Sequence, residues 1–329
     1  MGESTVSTIR PSETSPILEP RTRQFVAELS AGHGRPIYTL SPTVAREVLR
    51  RVQAKPVAKL PVAIEDTTFP VGPTGSVRVR IVRPYGAIGM LPAVMYFHGG
   101  GWMLGDKDTH DRMTREIAVG ANATVVFVDY DRSPEARYPV AIEQAYSVTK
   151  YVAEHGPELG VDSTRLAVLG DSAGGNIAAA VTLLAKERGE PRIDLQVLLY
   201  PVTDVDFGTG SYDTFADGPW LTRRAMQWFW DAYLPYIDAR REPTATPLNA
   251  TLEQLEGLPE ALVIVAENDV LRDEGEAYAR KLSRAGVRVT SVRYNGTIHD
   301  FMSLNALVDT PAARSAIWQV SQALRAAVA

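Results

Sequence analysis

Ser172 stands in Gly170-Asp171-Ser172-Ala173-Gly174, a G-x-S-x-G arrangement. The apolar run Leu166–Leu169 precedes it, and the helix-like segment GGNIAAAVTLLA follows. A serine between a strand and a helix has the context of a nucleophile elbow, where a strained tight turn lifts the hydroxyl clear of the backbone. Residues two before and two after the serine approach each other in such a turn, so both must lack bulk, and both are glycine. The helix that follows aims its first amides at the site and favours negative charge there. A second pattern, His98-Gly99-Gly100-Gly101-Trp102, follows the apolar run Ala93–Phe97. Three successive glycines leave main-chain N–H groups unshielded, free to donate to the oxyanion that develops on a reacting carbonyl. The other donor expected in an elbow site is the amide of the residue after the nucleophile, Ala173.

A serine hydroxyl is a weak nucleophile and needs a base, which needs an orienting acid. The chain order of elbow enzymes is serine, acid, histidine. Of the five histidines only His299 follows Ser172, just after the strand-like VRVTSVRY. Between them the apolar run ALVIV leads into Ala266-Glu267-Asn268-Asp269-Val270-Leu271-Arg272-Asp273. Asp269 sits just past the end of that run, where doubly wound sheets place their sites. Glu267 and Asp273 compete for the same role, although Asp273 is better placed to open a helix over 274–283. Asp300 adjoins His299, and neighbouring side chains diverge, which makes it a poor orienter. His98 reads as a structural residue that fixes the glycine loop, and His33, His110 and His155 as surface or capping residues.

The elements that must position these groups show in the hydropathy pattern. Val77–Val82 alternates as a strand. Ala93–Phe97, Thr124–Val128, Leu166–Leu169, Leu195–Tyr200 and Leu262–Val265 are short buried-strand runs. Helix-length segments such as 141–154 and 174–188 lie between several of them. Alternation of this kind predicts an α/β fold with a mostly parallel, doubly wound central sheet. Two helices precede it. In one, Phe25, Val26 and Leu29 share a face before Gly32 and Gly34. The other starts at Ser41-Pro42, with Val44, Val48, Leu49 and Val52 behind it. Residues 204–245 break the alternation and hold three of the five tryptophans, Trp220, Trp228 and Trp230. A helix there with Met226, Phe229, Tyr233 and Leu234 is apolar around much of its circumference, which implies burial on more than one side. The expected organisation is a helical cap segment at 1–60, a catalytic domain at 61–203 and 246–329, and a cap insertion at 204–245. Trp102, Trp220, Phe229, Tyr233 and Val270 are the candidate pocket residues.

Composition narrows the chemistry. With 34 basic and 39 acidic side chains the net charge is 34 − 39 = −5, which offers no field to gather a phosphate backbone. No nucleic-acid partner is expected. Cysteine is absent, which rules out disulfides, thiolate catalysis and thiolate-bound metals. No histidine pair has metal-ligand spacing, and the serine mechanism calls for no metal and no cofactor. No G-x-G-x-x-G follows a strand and no P-loop is present, which argues against nucleotide binding. The N-terminus lacks the basic start and apolar stretch of a signal peptide. Apolar runs fall far short of the ~20 residues of a membrane span. Gly2 after Met1 stands without any other lipidation signal. The expectation is a cytoplasmic protein with no membrane partner.

HGGGWMLGDKDTHD, GDSAGGNIAAA, LLYP, ENDVLRDEGEAYA and GTIHDF together resemble the hormone-sensitive-lipase-like α/β-hydrolases, specifically the bacterial family IV esterases of the GDSAG subgroup. The match spans roughly residues 60–329. The resemblance implies a triad of Ser172, Asp269 and His299, and oxyanion donors at Gly100, Gly101 and Ala173. It also implies a cap built from the N-terminal helices and an insertion after LLYP, and it suggests a homodimer. Two departures stand out. The family's tyrosine-arginine-leucine-alanine-proline-glutamate stretch is Tyr130-Asp131-Arg132-Ser133-Pro134-Glu135 here, and the glycine that commonly follows the catalytic histidine is Asp300. The function implied is a serine carboxylesterase acting on small-molecule esters of short-to-medium acyl chains. The alternatives are an amidase, arylformamidase or small peptidase on the same residues, or a non-catalytic ligand-binding relative.

Overall fold

The buried runs are the inner strands of one eight-stranded sheet in the computed structural model, which describes residues 16–32 and 34–328. Gly2 and His33 lie outside the described residues. The strands are β1 (Val62–Phe69), β2 (Val77–Pro84), β3 (Leu91–Phe97), β4 (Thr124–Asp129), β5 (Val161–Asp171), β6 (Leu195–Leu199), β7 (Glu260–Asn268) and β8 (Val289–Ile298), in the order β1-β2-β4-β3-β5-β6-β7-β8. β2 is antiparallel to both β1 and β4, and every other pairing is parallel. β1 has no counterpart among the strands expected from the sequence. It is an edge strand with most of its side chains exposed, so it carries no apolar alternation.

Helices cover both faces, which is why all seven residues of β3 are buried. α3 (Asp111–Ala121) and α10 (Pro311–Ala327) close one face through Met113, Ile117, Ile317 and Val320. α4 (Val140–His155), α5 (Ala173–Arg188) and α9 (Arg272–Arg284) close the other through Ile142, Val148, Ile177, Tyr278 and Leu282.

The N-terminal helices are α1 (Pro20–Ala31) and α2 (Pro42–Gln53), and Ser41 caps the second by accepting from the Val44 amide. The faces they bury differ from the apolar periodicity. Val44 is 50% exposed and Leu29 37%, whereas Ala45 is fully buried and Leu49 and Val52 pack inward. Polar grips set the orientation of α2. Arg46 donates to the carbonyls of Met103 and Ser133, and Gln53 donates to those of Thr109 and Ser303.

Residues 204–245 carry the short helix α6 (Gly210–Thr214) and α7 (Arg223–Tyr233). α7 buries Ala225, Met226, Phe229, Trp230 and Tyr233, which share one face, and leaves Trp228 only half-buried. The burial on more than one side expected for it is therefore not found. One broad aromatic face meets the protein, while Gln227 and Asp231 face outward. This segment also touches the N-terminal helices. Trp220 packs on Phe25 of α1 with ring centres 5.6 Å apart, and the Arg224 guanidinium lies 5.5 Å from the centre of the Tyr38 ring.

Candidate active site

Ser172 joins the end of β5 to the start of α5 with φ 55° and ψ −119°. A non-glycine residue at positive φ is strained and persists only where its surroundings hold it. Here its amide donates to Leu199 O at 2.8 Å, and its carbonyl accepts from Val202 and Asn176. The turn is tight enough that a Cβ on Gly170 would lie 2.0 Å from the Gly174 carbonyl oxygen, and one on Gly174 would lie 1.9 Å from Phe97 O. The close approach read from G-x-S-x-G is thus a steric necessity at both glycines.

The three chemistry-bearing side chains converge from separate strand ends. His299 Nε2 lies 2.9 Å from Ser172 Oγ, and its Nδ1 lies 2.7 Å from Asp269 Oδ2. Asp269 also accepts from the Leu271 amide at 3.0 Å, which fixes the carboxylate plane. All three are buried. The arrangement assigns the ring proton to Nδ1 and leaves Nε2 to accept from the serine hydroxyl. Burial works against an imidazolium, but the Asp269 and Asp300 carboxylates outweigh it and raise the His299 titration above its ordinary value, which makes the ring a stronger base. The competing acids are engaged elsewhere. Glu267 accepts from the Gly296 amide at 2.6 Å, and Asp273 accepts from the Ser211 amide at 2.7 Å.

The glycine loop follows β3. The amides of Gly100 and Gly101 find no acceptor among the described residues, and Ala173 supplies the first amide of α5. Gly101 has φ 61°, and a Cβ there would lie 2.3 Å from the Phe229 ring, so α7 seals this loop. Trp102 is fully buried and stacks on Tyr233 at 4.1 Å with an interplanar angle of 3°. These two rings bolt the loop to α7. Val270 is buried beside Asp269, and its carbonyl accepts from Ser211 Oγ. Trp220 is half-buried and donates from Nε1 to Asp300 Oδ2 at 2.9 Å.

Three features differ from expectation or lay beyond it. His110 holds the N-cap position of α3, within the surface-or-capping reading, but it is buried, makes no side-chain capping bond, and instead sets Nε2 3.3 Å from Asp171 Oδ2. Burial opposes both charges, yet each partner outweighs it for the other, raising the histidine and lowering the carboxyl. Asp171 also accepts from the Tyr96 hydroxyl at 2.7 Å and the Gly99 amide at 3.1 Å, tying the elbow to the glycine loop. The bulky x position of G-x-S-x-G was the available signal for that network, but its partners lie 61 to 75 residues away. Asp300 does not diverge from His299: its φ of 64° turns the carboxylate back until Oδ1 lies 3.5 Å from Nε2. Glu274, unnoticed in the sequence, is buried and accepts from the amides of Thr203 and Asp204, anchoring the start of the 204–245 segment.

The remaining histidines match simpler roles. His98 is buried between Tyr130 and Phe127, with Nδ1 2.9 Å from Gly99 O, and burial with the nearby His110 charge pulls it down to about 4. His155 sits partly exposed in the last turn of α4 beside Glu158. Among the described residues no group of three His, Asp or Glu side chains is placed to hold a metal, and no helix is long and apolar enough to cross a membrane.

The sheet order, the strained serine turn and the adjoining amide loop are those of an α/β-hydrolase, and the chain belongs to the family described by the alpha/beta hydrolase fold, which matches residues 94–303. It is 37% identical over 328 residues to Carboxylesterase NlhH of Mycobacterium tuberculosis, covering 98% of this chain and 99% of that protein. It is 33% identical over 285 residues to an ethyl acetate hydrolase of Pseudomonas putida, covering 85% of this chain and 89% of the relative. Among solved structures, a thermostable esterase from Pseudomonas putida ECU1011 superposes with a TM-score of 0.94 at 51% identity, over 96% of this chain and 99% of the other.

Proposed function

We propose that the protein is a serine carboxylesterase that hydrolyses short-to-medium acyl esters of small alcohols through Ser172, His299 and Asp269. The observation that carries the reading is the unbroken relay from Asp269 Oδ2 to His299 to Ser172 Oγ, at 2.7 and 2.9 Å, beside two unengaged glycine amides. Ser172 Oγ attacks the ester carbonyl as its proton passes to His299 Nε2. The carbonyl oxygen becomes an oxyanion facing the amides of Gly100, Gly101 and Ala173. Asp269 holds the ring and stabilises the imidazolium. Nε2–H then protonates the departing alkoxide, and an acyl-serine remains. A water gives its proton to the same nitrogen and attacks the acyl carbon, and that proton then passes from Nε2 to Ser172 Oγ as the acid departs, restoring the free serine.

The acyl-length part of the reading draws on the seal over the loop. Phe229 lies against Gly101, and behind it Trp102, Trp230 and Tyr233 pack in one fully buried aromatic block. Helix α1 and residues 204–245 meet through Phe25 and Trp220 and, with α2, serve as the cap. The ethyl acetate hydrolase relative points the same way. A p-nitrophenyl ester series from acetate to dodecanoate, with the matched p-nitroanilides, tests the reading. It predicts highest kcat/KM on the short-to-medium chains, falling away by dodecanoate, and anilide rates far below those of the esters. A long-chain optimum would sink the acyl-length claim, and anilide rates above the ester rates would sink the ester claim.

A further inference from the structure

The imidazole of His299 has a carboxylate at each nitrogen. Asp269 meets Nδ1 at 2.7 Å, and Asp300 Oδ1 stands 3.5 Å from Nε2, the atom that must shuttle the proton. Asp300 holds a left-handed backbone conformation at φ 64°, uncommon outside glycine although aspartate is among the residues that tolerate it. Its carbonyl accepts from the Ser303 and Leu304 amides, fixing the turn that aims the side chain back at the ring. Its other oxygen accepts from Trp220 Nε1 at 2.9 Å, and Trp220 leans on Phe25. One carboxylate therefore touches the proton-carrying nitrogen and, through one indole, both the 204–245 segment and α1.

The separation matters chemically. At 3.5 Å the carboxylate lends charge to an imidazolium but is too far for a strong hydrogen bond with Nε2. A carboxylate free to close that gap would draw the Nε2 proton to itself and away from the serine and the leaving group. The indole, by engaging Oδ2, holds it back. We infer that Asp300 is a second positioning carboxylate for His299, and that Trp220 is the latch that keeps it close enough to support the imidazolium and too far to capture its proton. The inference rests on the serine esterase reading, and it links the seating of the cap to the strength of the base.

Other charged and titratable groups face this pair and stay constant across the variants. Asp269 lies on the Nδ1 side, the charges of Asp171 and its partner His110 act on the pair, and the Tyr200 ring packs edge-on against His299 with ring centres 5.0 Å apart. An opposite charge within about 4–6 Å typically moves a titration by one unit or more. In Asp300→Asn, which keeps an acceptor for Trp220 and tolerates the left-handed conformation, the acid limb of kcat/KM moves down by about one pH unit. Asp300→Gly relieves the backbone, keeps its melting temperature and shows the same downward movement. Trp220→Phe keeps the contact with Phe25 but frees the carboxylate, so the acid limb moves up and kcat falls about tenfold. Trp220→Phe combined with Asp300→Asn returns the limb to the Asp300→Asn position.

The same order is read without turnover, by NMR titration of the His299 imidazole in uniformly His-labelled full-length protein. A limb and a titration that stay within 0.2 pH units of wild type in both Asp300 variants (well below the one-unit expectation) overturn the positioning role. A Trp220→Phe titration that does not rise overturns the latch. If the wild type hydrolyses no ester, the esterase reading fails, while the NMR titrations still decide the role of Asp300.

Discussion

Replacing Gly101 by alanine tests the oxyanion loop through a clash that can be measured on the structure. The added Cβ would lie 2.3 Å from the Phe229 ring, whereas ordinary contact begins at 3.4 Å, so ring or loop must yield 3.4 − 2.3 = 1.1 Å. The residue must also keep φ 61°, which costs an alanine about 1–2 kcal/mol. A misplacement of about 1 Å in a preorganised site costs ~10²-fold in rate, and full loss of one donor ~10²–10³-fold. The expected result with p-nitrophenyl butyrate is kcat down by about 10²–10³-fold with KM within threefold of wild type, because the amide acts on the transition state and not on the bound ester. Phe229→Ala in the same chain removes the obstructing ring and leaves only the backbone cost. The double variant should therefore recover at least about tenfold of the lost kcat. A Gly101→Ala enzyme that keeps a third of its kcat, or a double variant that recovers nothing, would refute the placement of this amide at the reacting oxygen.

Asp269→Asn keeps the shape of the triad but offers Nδ1 an amide that favours the wrong tautomer, and kcat should fall by about 10⁴-fold; a loss under tenfold in steady-state assays would move the orienting role to another acid. Phe229→Ala alone uncovers the glycine loop, and the octanoate-to-butyrate ratio of kcat/KM should rise by about tenfold; an unchanged ratio would mean that α7 does not bound the acyl pocket. His98 is buried with its titration pulled down to about 4, against an ordinary value near 6.5. Between those values the unfolded chain binds a proton that the folded protein refuses, so stability is present above pH 6.5 and drains away as pH falls toward 4. The gap corresponds to about 3 kcal/mol. Denaturant unfolding across that range should show this loss in wild type and a shallower one in His98→Phe, and parallel curves would discount His98.

Much of the site could be read in advance because its parts are local. The elbow needs only a strand, five residues and a helix, all contiguous from Leu166 to Arg188. The parallel sheet announced itself because β3 to β7 are covered on both faces and carry continuous apolar runs. What escaped the reading depends on distant packing. Nothing near His110 reveals that Asp171 will meet it across 61 positions, and a polar residue at the head of a helix reads as surface. The approach of Asp300 to Nε2 is decided by one backbone angle, which residue type does not disclose. β1 is legible only through its pairing with β2, since its exposed edge has no hydropathic rhythm. α2 turns by the grip of Arg46 and Gln53 on loop carbonyls, which overrules its row of valines.

The most direct measurement is covalent. A fluorophosphonate reacts only with a serine that an adjacent base activates, and its adduct can be located by peptide mass spectrometry. The account predicts one equivalent bound to the native protein, carried on Ser172. It also predicts no labelling of Ser172→Ala, and labelling slowed by about 10³-fold or more in His299→Asn, in line with loss of the general base. Stoichiometric labelling at another residue, or full-speed labelling without His299, would contradict it.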